Sequence, residues 1–297
     1  MSTNIRKRAI EFWQDALYWQ ARSCPILGRT FKPLVMQLGW RCSAKVRDAT
    51  RLNARRIFGP DVTMAQIHRY TGGLLSTFYD FVNDVGRCVD MSDDELRGQI
   101  ESIEGTEHYD EARAAGKGAI IATAHMGSFE VAAAALLERE KKLHVVFKRD
   151  TNRFEQLRSS LQQRMGIAES PVDDGWGMWL RLRDALQRNE IVMLQSDRCM
   201  PGQKGQSVPF LHGHLEVPTG PIKLALASGA PIIPTVALRM PGNKVRIHTE
   251  PAIWVRDSDE SPHPALLKLT SILEKYVSAH PQQWLVLHRA FVEDQVA

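Results

Sequence analysis

Gly116-Lys-Gly-Ala-Ile-Ile-Ala-Thr-Ala-His125-Met-Gly-Ser-Phe-Glu130 is the stretch from which the architecture can be read. Gly116-Lys117-Gly118 is a turn signal, and the run Ala119–Ala124 that follows is short, apolar and β-prone. Gly127 lets the chain turn again, Ser128 is placed to cap a helix over 128–140, and Glu130 falls in that helix's first turn. Working outward, β-prone runs recur at Leu143–Phe147, Ile191–Leu194, Pro231–Leu238 and Lys244–His248. Helical patterns lie at 152–165, 176–188, 219–229 and 264–280. Strands alternating with helices predict an α/β fold: a mixed, mainly parallel sheet covered by helices on both faces.

Upstream the pattern is helical. Ile5, Ala9, Phe12, Trp13, Ala16 and Leu17 fall at three- and four-residue steps, as do Phe31, Leu34, Val35, Leu38 and Cys42. Arg47, Arg51 and Arg55 line one face at four-residue steps. Met64 to Val85 carries bulky apolar residues, and Ser92-Asp-Asp-Glu95 has the form of a capped helix start. Residues 1–104 are therefore expected to form a helical, basic, membrane-proximal extension leading into an α/β body over 105–297.

Charge bounds the partners. Residues 1–60 hold twelve Lys/Arg against three acidic residues, a charge of +9 in a chain whose net charge is +4, so the remainder carries −5. Such polarity points to an anionic partner. Apolar stripes with tryptophans beside arginines suit the headgroup boundary of an anionic membrane, and no recognition motif accompanies the charge to indicate nucleic acid. No window reaches the roughly 18 apolar residues of a membrane span, and the amino terminus lacks the apolar core of a secretory signal. Peripheral attachment is expected. The four cysteines are far apart with no CxxC pair, so they are expected to be reduced thiols.

The chemistry is expected where the first strong strand ends, because side chains at a strand's carboxyl end reach the crevice. A carboxylate on Nδ1 of His125, here Glu130, fixes the tautomer and leaves Nε2 as a general base. That pair can deprotonate an alcohol as it attacks a thioester, with no enzyme nucleophile, metal or cofactor. Competing motifs fail: Glu111 stands where a P-loop needs its first glycine, and Met126 and Glu130 stand where a serine-hydrolase elbow around Ser128 needs glycines. HExxH and GxGxxG are absent.

The segment Gly105-Thr-Glu-His-Tyr109 through Glu130 resembles the bacterial lipid A late acyltransferase family, within the glycerolipid acyltransferase superfamily marked by H-x4-D/E, which includes phosphatidylinositol mannoside acyltransferases. Three further blocks agree in order. They are Phe147-Lys-Arg149, Asn152, Arg158 and Arg164-Met-Gly166; then Leu194-Gln-Ser-Asp197, Val208-Pro-Phe210 and Pro218-Thr-Gly-Pro221; and finally Pro231-Ile-Ile-Pro234, Arg239, Glu250-Pro251, Pro281-Gln-Gln-Trp284 and His288-Arg289. The resemblance implies transfer of a fatty acyl group from acyl carrier protein or coenzyme A to a hydroxyl of a lipid or glycolipid, on the cytoplasmic face of the inner membrane. By position, His125 is the base and Glu130 its partner. Arg149 and Arg164 become candidates for the headgroup or oxyanion, and Asp197 for the acceptor pocket. Gly127 and Ser128 in the turn are counted with the substrate-binding set. The chain departs from the lipid A pattern in having Ser128-Phe129 for Asn-Trp and Asp197-Arg198 for Asp-Gln, which bears on the acceptor. Leu74, Leu75, Phe78 and Phe81 are candidates for an acyl-chain wall. A thioesterase and a non-catalytic lipid-binding protein are the alternative readings.

Overall fold

The computed structural model describes residues 25–88, 90–147, 159, 161–199 and 203–295. The stripe at 5–17 and most of the 152–165 segment lie outside these residues.

Three helices lead in: α1 (Pro25–Cys42), α2 (Ala44–Phe58) and α3 (Met64–Cys88). α3 opens with a reciprocal cap, the Thr63 N–H donating to Gln66 Oε1 (2.9 Å) and the Gln66 N–H to Thr63 Oγ1 (3.3 Å). Its stripe Ile67, Tyr70, Leu74, Val85 is buried, as the helical spacing requires. α4 (Asp93–Arg97) begins with the expected capping box between Ser92 and Glu95. The chain continues through β1 (Ile100–Glu104), α5 (Thr106–Ala114), β2 (Ala119–Thr123), α6 (Phe129–Arg139), β3 (Leu143–Phe147), β4 (Ala168–Pro171), α7 (Trp176–Gln187) and β5 (Ile191–Gln195). A hairpin of β6 (Gly205–Phe210) and β7 (Gly213–Pro218) follows, then α8 (Gly220–Ser228), β8 (Ile232–Met240), β9 (Lys244–Thr249), α9 (Pro264–Ala279) and α10 (Val292–Gln295).

Seven strands form one sheet in the order β1-β9-β8-β2-β5-β3-β4, all neighbours parallel except β8 and β9. β2 lies in the middle with all five residues buried. Its alternation splits the core: Ile120 and Ala122 join the large cluster with α2, α3, α7, α8 and α9, while Ala119 and Ile121 join Tyr109 of α5 and Ala133 of α6 on the opposite face. Each fully buried aliphatic side chain contributes about 1.5–3 kcal/mol, which is why a run this apolar is stable only at the centre of a covered sheet.

Four strands escaped the sequence reading: β1, β4 and the two of the β6–β7 hairpin. Ile100–Glu104 falls in the segment read as helical, yet it is the edge strand beside β9, so the sheet draws on residues before 105. α2 and α3 likewise contribute Ala54, Ile57, Tyr70 and Leu74 to the large cluster. β4 is the opposite edge. Glu101 and Glu104 of β1 pair with Arg246 and His248 of β9, and β4 is four residues long and ends in Pro171, so neither edge shows a clear apolar alternation. Of the expected acyl-chain wall, Leu74 lies in the large core cluster, while Phe78 and Phe81 pack around Phe129 and Leu285. α1 is tied to α3 by Lys32 and Asp80, while Phe31 and Leu34 stay exposed.

Candidate active site

β2 and β5 are in parallel register with an offset of 72 residues, Ala119 opposite Ile191 and Thr123 opposite Gln195. The Ser196 N–H donates to the Thr123 carbonyl at 2.8 Å, carrying the pairing one residue further. His125 and Asp197, each two residues past its strand, therefore emerge side by side at the carboxyl edge. His125 Nδ1 lies 2.7 Å from Asp197 Oδ1, and Asp197 Oδ2 accepts the indole N–H of Trp284 at 2.8 Å.

Asp197 is 2% exposed. Burial by itself would raise its pKa, but His125, Arg198 and Trp284 outweigh burial and hold the carboxyl well below the usual carboxylate range. An ionised carboxylate accepts and never donates, so Nδ1 carries the hydrogen and Nε2 is the basic nitrogen. The sequence reading had Glu130 in this role and Asp197 in an acceptor pocket; the contact to Nδ1 is made by Asp197. Glu130 is in the first turn of α6 as expected, 5% exposed. Its charge is felt at the Cys88 thiol, which burial chiefly, with Asp84 and Glu130 adding, pushes up to about 12.

The turn that carries His125 is held by backbone from two other elements. The Leu285 N–H donates to the His125 carbonyl (2.8 Å), the Gly127 N–H to the Gln283 carbonyl (3.0 Å) and the Ser128 N–H to the Ala237 carbonyl of β8 (3.3 Å). Gly127 sits at φ 59°, and a Cβ there would stand 1.9 Å from the Ala237 oxygen, so this approach requires glycine. Ser128 does not cap α6 with its side chain. Its hydroxyl instead accepts from Arg239 Nη2 (2.7 Å) and donates to Asp84 (3.4 Å), inside a buried cluster in which Arg239 also pairs with Asp84. Ser128 and Arg239 thus brace the turn from behind, a role invisible in their spacing.

In front of His125 opens a cavity of about 700 Å³. It runs along the carboxyl ends of β5 and β3 to Val172, just beyond β4, which at about 4.8 Å per strand places its far end roughly 14 Å from β2. Val146, Phe147, Val172, Trp179, Leu194 and Leu215 supply an apolar wall, while Asp197, Arg198 and His288 gather at the histidine end. Trp284 is fully buried and also orients Asp197.

The basic candidates fare differently. Arg149 lies outside the described residues. Arg164 donates Nη2 to the Cys88 carbonyl (2.8 Å) and Nη1 to the Met91 carbonyl, closing off the end of α3; it is absent from the cavity wall. Arg47 is tied to the last carbonyls of α1 through Trp40 (2.5 Å) and Arg41 (2.7 Å), whereas Arg51 and Arg55 are exposed. Among the described residues, no helix is long and apolar enough to cross a membrane.

The sequence has relatives among known proteins. A family model described as bacterial lipid A biosynthesis acyltransferase covers residues 5–293. Two curated relatives are phosphatidylinositol mannoside acyltransferases of Mycobacterium tuberculosis, from strains CDC 1551 / Oshkosh and H37Rv. Each is 27% identical over 227 residues, spanning 74% of this chain and 69% of the relative.

Proposed function

The chain belongs to the bacterial lipid A biosynthesis acyltransferase family, and from that premise we propose that it transfers a fatty acyl group from an acyl carrier protein or coenzyme A thioester to a hydroxyl of a lipid or glycolipid, with His125 as general base. The observation that carries this reading is an imidazole at a cavity mouth whose Nδ1 is held by a buried carboxylate. Nε2 takes the proton of the acceptor hydroxyl as its oxygen attacks the thioester carbonyl. The tetrahedral intermediate then collapses, the carbon–sulfur bond breaks, and the thiolate recovers the proton from the imidazolium. Asp197 keeps the tautomer and stabilises the imidazolium as it forms. Glu130, next to the N-terminus of α6, belongs to the support of the turn. The acyl chain fits the apolar wall from Leu194 to Trp179.

We place the enzyme on the cytoplasmic face of the membrane, attached peripherally. Exposed Phe31 and Leu34 with Arg51 and Arg55 suit an anionic lipid surface. The test is acyl transfer followed with and without a lipid acceptor, using wild type and His125→Ala. Loss of a general base costs about a hundred- to ten-thousand-fold. Near-normal turnover by His125→Ala sinks the mechanism, and release of free fatty acid at an equal rate without acceptor identifies a thioesterase instead.

A further inference from the structure

A second cavity, of about 390 Å³, lies between the start of α3 and the turn after α9, and it shares no wall residue with the catalytic one. Phe58 and Pro281 give it apolar surface; Gln66, Arg69, Tyr70 and Gln282 give it polar groups. Among the described residues these groups are short of partners. Tyr70 is 1% exposed and its hydroxyl has no hydrogen-bond partner, a costly state for a buried donor. Gln66 has its Oε1 occupied by the N–H and the hydroxyl of Thr63, at 2.9 and 2.8 Å, so what it has left to offer is amide N–H. Arg69 is exposed, and no carboxylate stands on the wall beside it. Donors without acceptors suit an anion, and a guanidinium with amide N–H groups beside it matches the oxygens of a phosphate.

The wall formed by residues 280–283 is also the back of the active site. Gln282 lies across Gly73 of α3, where a Cβ would stand 2.3 Å from its amide. Gln283 accepts the Gly127 N–H at its carbonyl (3.0 Å), and its side chain bonds the Arg239 backbone twice, at 2.7 and 3.0 Å. Trp284 then donates to Asp197, and the Leu285 N–H to the His125 carbonyl. One short segment therefore has this cavity on one side and the catalytic pair on the other. The cavity also adjoins the basic stripe: exposed Arg51 and Arg55 of α2 are continued on the same face by Phe58, 40% exposed, on the cavity wall.

We propose that this cavity binds the phosphate headgroup of an anionic membrane phospholipid, with Arg69 on the phosphate, and that its occupation steadies residues 280–285 and through them His125 and Asp197. This rests on the peripheral attachment proposed above, which brings Arg51, Arg55 and the cavity to the lipid surface. A lipid is assigned over free phosphate because Phe58 and Pro281 place apolar surface beside the cation, which an inorganic anion cannot use.

Two measurements on the full chain test it, with wild type, Arg69→Gln and Arg69→Lys. The first is the melting temperature across titrations of monomeric dihexanoyl phosphatidylglycerol and of inorganic phosphate. Wild type rises with the lipid at concentrations where phosphate has little effect. Arg69→Gln weakens the apparent Kd for the lipid roughly ten-fold, as for a lost hydrogen bond to a charged group, and Arg69→Lys recovers part of it. The second is amide hydrogen exchange, which reads local opening. The lipid slows exchange across 280–285 and at Gly127 in wild type, and does so far less in Arg69→Gln at the same concentration. A lipid response that survives Arg69→Gln overturns the site. Inorganic phosphate as effective as the lipid makes the ligand a free anion and overturns the membrane assignment. Lipid binding that leaves exchange across 280–285 unchanged overturns the link to the catalytic pair. Neither measurement needs turnover, so loss of the acyl-transfer reading leaves this test standing, and failure here leaves the test of His125 standing.

Discussion

Asp197→Asn isolates the element on which the site depends. The carboxylate is 2% exposed and receives two donors, the Nδ1–H of His125 at 2.7 Å and the Nε1–H of Trp284 at 2.8 Å. An amide has one acceptor oxygen. If that oxygen stays on Trp284, the amide NH₂ faces Nδ1 and forces the hydrogen onto Nε2, which is then no longer a base. If it stays on His125, the NH₂ abuts the indole N–H in a place water does not reach. Either way one hydrogen bond to a charged group is lost, at about 1.5–3 kcal/mol. The wrong-tautomer outcome costs on the order of 10⁴ in kcat, the magnitude of the same exchange in Ser-His-Asp triads. The sign with pH follows from the depressed carboxyl pKa. Its stabilisation is complete above the unfolded value of about 3.9 and drains as pH falls through the folded value. The melting-temperature gap between wild type and variant should therefore be full at neutral pH and narrow in acid. The assay is single-turnover transfer from a labelled acyl thioester, with melting curves from neutral pH downward. A variant within ten-fold of wild-type kcat, or Glu130→Gln proving far more damaging than Asp197→Asn, refutes the assignment of the Nδ1 partner.

Gly127→Ala should lower stability by more than the 1–2 kcal/mol of a left-handed non-glycine residue and abolish transfer, because its Cβ meets the Ala237 oxygen; an active, equally stable variant in a melting curve refutes the close approach. Arg164→Ala should lower the melting temperature, by about 1–2 kcal/mol of lost carbonyl contacts, and leave acceptor KM unchanged; a KM effect without destabilisation returns it to the substrate set. Arg51→Gln with Arg55→Gln should weaken sedimentation with anionic vesicles, by on the order of 1 kcal/mol per cation and less as salt rises. Arg47→Gln should cost helix stability more than binding, because its guanidinium serves α1 carbonyls. Binding indifferent to salt and to the Arg51/Arg55 pair makes them a solvated face.

What the sequence by itself determined was whatever depends on neighbours within a few residues. Ala119–Thr123 reads as a central strand because an unbroken apolar run needs cover on both faces. Ser92 and Glu95 announce a helix start because their mutual bonds close within one turn. His125 stands out because it follows a strand and precedes a glycine turn. β1 and β4 were hidden because an edge needs little apolar surface and carries charge or proline instead. The partner of His125 needed the tertiary structure. Glu130, five positions on, was the acid within local reach, and Asp197 was visible as a site residue without its role. Asp197 comes to the imidazole through a 72-residue register between β2 and β5, and no local periodicity encodes that register. The same pairing sets Arg198 on the cavity wall beside Asp197, whose ionised form it favours. Register is decided by which buried faces fit together across the whole sheet, and so the geometry of the site is a property of the packed molecule.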